Sequence, residues 1–317
     1  MGIRGRVPAW GWGLACAAAI LSAPVAASEN GASLYLQGFY NEFAVGMPLA
    51  PGVHVRNDLL RYRGRVEAKP VAPGVTAQAT QAATGDIIKM AWVPGARVLG
   101  AAYSAAAALP MALDARVTTR IDGPGFSVPG GAEEQGFGDL VLVPVRLTWS
   151  LHRDHHVNLA TNVTLPTGEY EPGRLINLGR NHWAFDPNVA YTWLHGDRGH
   201  EVSATAGMIF NARNHDTNYR GGNEFHLDWL VGQHLSDRLA VGAVGYVYRE
   251  TTDDRGAPAS SASPGSRGRS TGYGLAAMGR LPGDGMPVRL VGKWLRDTRV
   301  THRFKGELFS LSVAVSY

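Results

Sequence analysis

The chain has 317 residues, with 30 Lys and Arg against 26 Asp and Glu, 40 Gly, 18 Pro and one cysteine. A lone cysteine excludes a disulfide framework, and the small positive excess comes without the dense Lys/Arg patch that nucleic-acid binding needs. Mean hydropathy is close to zero, and no stretch after residue 30 holds the roughly 18 consecutive apolar residues of a spanning helix, so a membrane reading of this chain requires strands.

The first segment reads as an export signal. Arg4 and Arg6 precede a short apolar core over 11–21, and residues 23–27 end in small side chains with Val25 and Ala27 at the −3 and −1 positions of a cut. A retained anchor is the alternative, against which the core is shorter than a membrane span. Cys16 lies inside this segment, and Gly13 stands where a lipoprotein box wants Leu. A signal peptide over 1–27 leaves a mature chain with no cysteine, and 28 basic against 26 acidic residues.

Residues 28–52 form an N-terminal lead that reads as a periplasmic lead, a lumen strap or a plug. Phe39, Tyr40 and Phe43 within it are candidates for apolar solute contact inside a lumen; packing of the segment against a wall explains them equally.

From 53 to 317 the pattern is period-2, which places alternate side chains on opposite faces of a strand. The expected strands are 53–66, 84–93, 97–111, 138–150, 155–166, 183–195, 200–211, 223–235, 238–250, 269–281, 286–297 and 304–317. Over 101–109 the run AAYSAAAAL has enough helix propensity that a short helix competes. Phe225, Leu227, Trp229 and Val231 oppose Glu224, His226 and Asp228. Val288, Leu290 and Trp294 oppose Arg289 and Lys293. The last strand alternates Phe309, Leu311, Val313, Val315 and Tyr317 with small or polar residues. That ending resembles the C-terminal signal by which outer-membrane barrels engage the barrel assembly machinery.

A soluble sandwich alternates too, so the connections decide. The even-numbered gaps are tight (94–96, 151–154, 196–199, 236–237, 282–285). The odd ones are mostly long (67–83, 112–137, 167–182, 212–222, 251–268), with 298–303 the shortest. Short turns on one rim and long loops on the other are the rhythm of a membrane barrel. The expected fold is therefore all-β: a single transmembrane antiparallel barrel of about twelve strands in the bacterial outer membrane, with both termini on the periplasmic side.

Several strings carry a resemblance. Glu29 to Ala32 reads ENGA, Gly38 to Asn41 reads GFYN, and Gly136 to Leu140 reads GFGDL, running on to Pro144. Leu165 to Tyr170 reads LPTGEY, followed by Asn177-Leu178-Gly179. Thr217 to Gly222 reads TNYRGG, leading to Glu224-Phe225-His226, and Thr251 to Asp254 reads TTDD. In this order they resemble the SphA-like proteins of the meta-pathway of phenol degradation, over essentially the whole mature chain. That family consists of outer-membrane barrels, some encoded beside genes for aromatic catabolism. The resemblance implies passive uptake of hydrophobic or aromatic small molecules. The match departs at Asn218 and Asn223, where acidic residues are expected.

Candidate lumen or selectivity residues are Arg146, Asp186, Glu224, His226, Asp228, Arg289 and Lys293. They read either as a constriction or as paired charges filling a narrow interior. The polar loop over 211–222 reads as a ligand-contacting loop or an ordered rim. His152, His155 and His156, and His195 with His200, sit at expected short turns, where converging metal ligands are not expected. No cofactor is implied. An enzyme would need a nucleophile and base brought together, and no Ser/His pair is expected from the register. Rival functions are a general polar-solute porin, a structural or adhesin barrel, or an outer-membrane enzyme. Expected partners are outer-membrane lipid, lipopolysaccharide, the assembly machinery at Tyr317, and a hydrophobic solute.

Overall fold

The computed structural model describes residues 33–67, 73–256, 267–281 and 287–317. The expected signal peptide, the 282–285 turn and most of the 251–268 loop fall outside these residues. The strands are β1 (Gly52–Glu67), β2 (Thr76–Val93), β3 (Arg97–Val98), β4 (Ala101–Gly123), β5 (Phe126–Phe137), β6 (Val141–His152) and β7 (His155–Thr164). They continue with β8 (Ala184–Leu194), β9 (His200–Asn211), β10 (Glu224–Ser236), β11 (Leu239–Glu250), β12 (Arg269–Leu281), β13 (Val288–Thr301) and β14 (Lys305–Ser316). Each main strand pairs antiparallel with its neighbour in sequence, β2 pairs β4, and β14 returns to β1 with Ser316 opposite His54 and Lys305 opposite Arg65. The result is a closed twelve-stave barrel.

β3 is a two-residue addition at a turn, and β5 is an extension rather than a stave of its own. The first half of β4 pairs β6, from Ala102 opposite Thr148 to Ala108 opposite Val141. Its second half pairs β5, from Met111 opposite Phe137 to Gly123 opposite Phe126. β5 and β6 thus lie end to end along β4, broken at Gly138–Leu140. This corrects the expected long loop over 112–137, which is a hairpin continuing the barrel outward. Most of the expected 67–83 loop is likewise strand, since β2 begins at Thr76. The outward apolar criterion stops where lipid stops, whereas backbone pairing continues. Ala101–Leu109 is strand, not helix. Pairing on both edges outweighs a helix propensity of a few tenths of a kcal/mol per residue, roughly.

The faces are inverted relative to a soluble protein. Exposed side chains on the outer wall include Leu59, Met90, Trp92, Leu159, Phe185, Phe210, Val231, Leu275, Phe309 and Leu311. Asp58, Asp186, Glu201, Glu224, His226, Asp228 and Asp297 are buried inside. An apolar outside with a polar inside is the arrangement lipid selects, and the chain is an outer-membrane barrel. Among the described residues no helix is long and apolar enough to cross a membrane.

The described N-terminal residues occupy the lumen. Ser33 donates to the Glu224 carboxylate at the long-loop end, Ala44 N–H donates to Glu201 (2.5 Å), and Gly46 N–H donates to the Thr192 hydroxyl (2.8 Å) towards the short-turn rim. Residues 33–51 are therefore a strap running the length of the lumen into β1. Ser33 and Tyr317 lie at opposite rims; the N-terminus, expected on the periplasmic side, falls outside the described residues.

A candidate solute path beside the lumen strap

Period-2 geometry aims alternate residues of every strand at the strap. β10 contributes Glu224, His226 and Asp228, with Asp186 arriving from β8. His226 is fully buried, its Nε2 3.0 Å from an Asp186 oxygen and its Nδ1 3.6 Å from an Asp228 oxygen. Two strap tyrosines sandwich its ring, Tyr40 at a centroid distance of 4.6 Å and Tyr35 at 5.4 Å. The Tyr40 hydroxyl donates to Asp186 (2.5 Å) and the Tyr35 hydroxyl to Asp228 (3.1 Å). Buried carboxylates need such donors to remain buried. The cluster fastens the strap to β8 and β10.

A second cluster lies lower, around strap residue Glu42. Arg56 of β1 grips it with both terminal nitrogens (2.8 and 2.9 Å), and Lys293 of β13 donates to it at 2.6 Å. Lys293 also donates to the Gly38 carbonyl (2.8 Å), while Arg56 and Lys89 share Asp58 at 2.5 and 2.7 Å. The Lys89 ammonium sits 3.7 Å from the Phe39 ring centroid, a cation–π contact.

The seven candidate lumen residues therefore divide. Asp186, His226 and Asp228 converge. Glu224 holds the strap's far end with Tyr248 and Asn211, and Lys293 holds Glu42. Arg146 and Arg289 line open space without a carboxylate partner among the described residues. They do not form one ring. Much of the interior is a network of paired charges. Tyr35, Glu42, Arg56, Asp58 and Glu201 were not among the candidates. For Arg56, Asp58 and Glu201 the signal in the sequence is inward parity: His54, Arg56 and Asp58 alternate with Val53, Val55 and Asn57; Tyr35 and Glu42 lie in the strap, where no strand parity applies.

The strap packs against the β9–β14 side, where Tyr35 and Phe43 join Leu230, Val244, Tyr246, Tyr248, Met278 and Leu295 in an apolar cluster. Opposite, towards β1, β2, β4 and β6, it leaves a cavity of about 770 Å³. Lining residues reach from Thr164, Ala184 and Ile209 at the long-loop end to Ala50, Pro287 and Ser316 at the short-turn rim. The lining includes Phe39, Tyr40 and Phe43 from the strap and Ala106, Ala107, Ala108, Val141 and Val143 from the wall. The cavity's width rests on alanines, which project nothing beyond Cβ.

One expectation about the register fails. Ser150 and His156 face each other across β6 and β7, with Ser150 Oγ 3.0 Å from His156 Nδ1. No carboxylate hydrogen-bonds that imidazole among the described residues, so the base of the pair lacks the orienting group that activates a serine. Among the described residues no cluster of His, Cys, Asp and Glu has the form of a metal site.

In the comparisons with known proteins, the chain is similar to the COG4313 outer membrane channel from Pseudomonas putida F1. The TM-score is 0.70 and the identity 17%, over 88% of this chain and 98% of that one. It is similar more loosely to the NanC porin (TM-score 0.37, 9% identity, 81% and 98% covered) and to a Pseudomonas aeruginosa FadL homologue (0.37, 9%, 84% and 88%). A search of curated protein sequences finds no match. Residues 68–313 match the family described as "Putative MetA-pathway of phenol degradation". With well over half of its length matched, the chain belongs to this phenol-degradation family of outer-membrane β-barrels.

Proposed function

We propose that the protein is a passive outer-membrane channel for hydrophobic or aromatic small molecules. The observation that carries this reading is the largely apolar cavity beside the strap, whose lining reaches from the long-loop end to the short-turn rim. Strap and charge clusters fill the rest of the lumen, which argues against a wide water-filled pore for polar solutes in general. Phe39, Tyr40 and Phe43 line this path and supply aromatic contact. Tyr40 is also a fastening group, so its two roles are coupled. Family membership and the fold shared with an outer membrane channel support the same assignment. It is a transport role, not a catalytic one. The described part of the N-terminal lead, residues 33–51, acts as strap and cavity wall, and the barrel proper follows from β1. The C-terminal strand ending at Tyr317 engages the assembly machinery. Lipopolysaccharide surrounds the long-loop end, where exposed Arg61 and Arg63 stand above the outward apolar residue Leu59.

The test is uptake of trace labelled toluene or phenol beside a labelled sugar by intact cells with and without the gene. Loss confined to the aromatic solute supports the reading. Loss of the sugar alone points to a general porin, and no change in either overturns transport of these solutes.

A further inference from the structure

The cavity's charge does not balance. Of the arginines and lysines lining it, Arg56 and Lys89 are held by carboxylates, whereas Arg146, Arg280 and Arg289 make no ion pair or side-chain hydrogen bond among the described residues. The lining carboxylates are already committed, Glu42 to Arg56 and Lys293 and Asp186 to His226 and Tyr40. Among the described residues, no carboxylate stands within ion-pair distance of the three guanidiniums.

Their placement sharpens the point. Arg146 Nε is buried with no hydrogen-bond partner. Arg280 and Arg289 stand directly opposite each other on β12 and β13, on the lumen face at the short-turn end. Like charges at directly opposed positions destabilise a sheet, and with Arg280 exposed and Arg146 and Arg289 half-buried all three can be reached from the cavity. Arg146 in mid-barrel and the Arg280–Arg289 pair near the exit flank one apolar-walled space.

We propose that the cavity takes anions with an apolar body, aromatic carboxylates first among them, with the carboxylate received by Arg146 and passed to the Arg280–Arg289 pair. The guanidinium fork matches a carboxylate in plane and in donor spacing. The ring of such a ligand lies against Phe39 and the stretch of wall formed by Ala106, Ala108, Val141 and Val143. This deepens the channel reading and rests on it. It adds a preference for charged over neutral aromatics.

The experiment is equilibrium dialysis of labelled benzoate and labelled benzyl alcohol, at neutral pH, against the purified full chain in detergent micelles, with empty micelles as blank. The two probes share a ring and differ in charge. The wild type is expected to hold benzoate about tenfold tighter than benzyl alcohol, the scale of one charge-assisted hydrogen-bonded pair. Arg146→Gln and Arg289→Gln should each remove that preference and leave benzyl alcohol binding in place. Arg146→Lys, which keeps the charge, should retain part of it, and Arg61→Gln on the outer wall should retain all of it. Heat-modifiable gel mobility checks that each variant is folded. Benzoate binding unchanged in both glutamine variants overturns the proposal, as does benzyl alcohol binding equal to that of benzoate in the wild type; the channel reading survives either result. Binding of neither probe overturns the proposal and counts against the channel reading as well.

Discussion

Glu42→Gln is the sharpest perturbation of the strap. The side chain is 13% exposed and takes two cations, Arg56 and Lys293, the latter only 5% exposed. Amidation keeps the shape and removes the charge, leaving Lys293 with a carbonyl and an amide oxygen and Arg56 with Asp58. Breaking a buried ion pair by removing one partner costs about 3–5 kcal/mol. The surviving Arg56–Asp58 contact at 2.5 Å places this case at the low end, about 3 kcal/mol. β1 and β13 remain in the sheet through their backbone pairing, so the loss falls on docking of the strap. At about 1.4 kcal/mol per tenfold, the undocked population rises roughly a hundredfold. Amide exchange over residues 35–46 should accelerate by that factor while the β10 and β11 amides keep their protection. Single-channel recording should show correspondingly more frequent open events. Exchange over 35–46 within threefold of wild type, in a variant shown to be folded, would refute the claim that the Glu42 cluster holds the strap.

Three further outcomes follow from other parts of the barrel. The Asp139 carboxylate accepts the backbone N–H groups of Thr167 (3.1 Å), Gly168 (2.9 Å) and Arg180 (2.6 Å), so Asp139→Ala should free the 165–183 loop. Limited proteolysis would then cut within it at least tenfold faster with the barrel intact; wild-type resistance would show that the loop is held elsewhere. Ala108→Phe places a ring in the alanine-walled cavity and should cut aromatic uptake severalfold without loss of barrel stability, and unchanged uptake would move the solute path away from β4. Asp254, in the loop after β11, accepts from Tyr219 Oη (2.6 Å) and Gly222 N–H (2.7 Å), and burial raises its pKa above the ordinary carboxylate value. A carboxyl whose folded pKa is raised binds its proton more tightly when the loop is closed. Closure therefore gains as pH falls from neutral through the folded pKa towards the ordinary value near about 4. After correction for intrinsic exchange rates, loop amides should show more protection at pH 5 than at pH 7; less protection would reverse the assignment.

How much of this was legible in the sequence depends on what each residue answers to. Outward residues answer to lipid alone, so Phe225, Leu227, Trp229 and Val231 announce the face of β10 without knowledge of its neighbours, and the opposite parity announces Glu224, His226 and Asp228 as inward. The closing strand at Tyr317 is readable for the same reason. Legibility ends where partners come from afar. Nothing near Tyr40 in sequence says that it stacks on His226, 186 positions on, or that Glu42 meets both Arg56 and Lys293. The hairpin of β4 and β5 was hidden because Asp114, Arg116, Thr118 and Arg120 interrupt the outward apolar pattern while the backbone stays paired. Ser150 and His156 were missed because a tight turn fixes register to the residue, and strand boundaries read from periodicity are looser than that.

The strap and the cavity depend on each other. A twelve-stave barrel without the strap leaves Asp186, Asp228 and Glu224 lining an aqueous bore. With the strap docked, these acids are consumed by Tyr40, Tyr35 and Ser33, and the positive charge of Lys293 and Arg56 by Glu42. What remains beside it is narrower, lined by alanines and Phe39, and still carries Arg146, Arg280 and Arg289, without an ion-pair partner among the described residues. The strap thus sets both the width and the sign of the path. A variant that releases it should therefore admit larger and more polar solutes and lose selectivity for aromatic ones. Glu42→Gln tests that coupling directly: sugar uptake should rise in the cells where strap exchange accelerates. Accelerated exchange with sugar still excluded would place the barrier in the external loops instead.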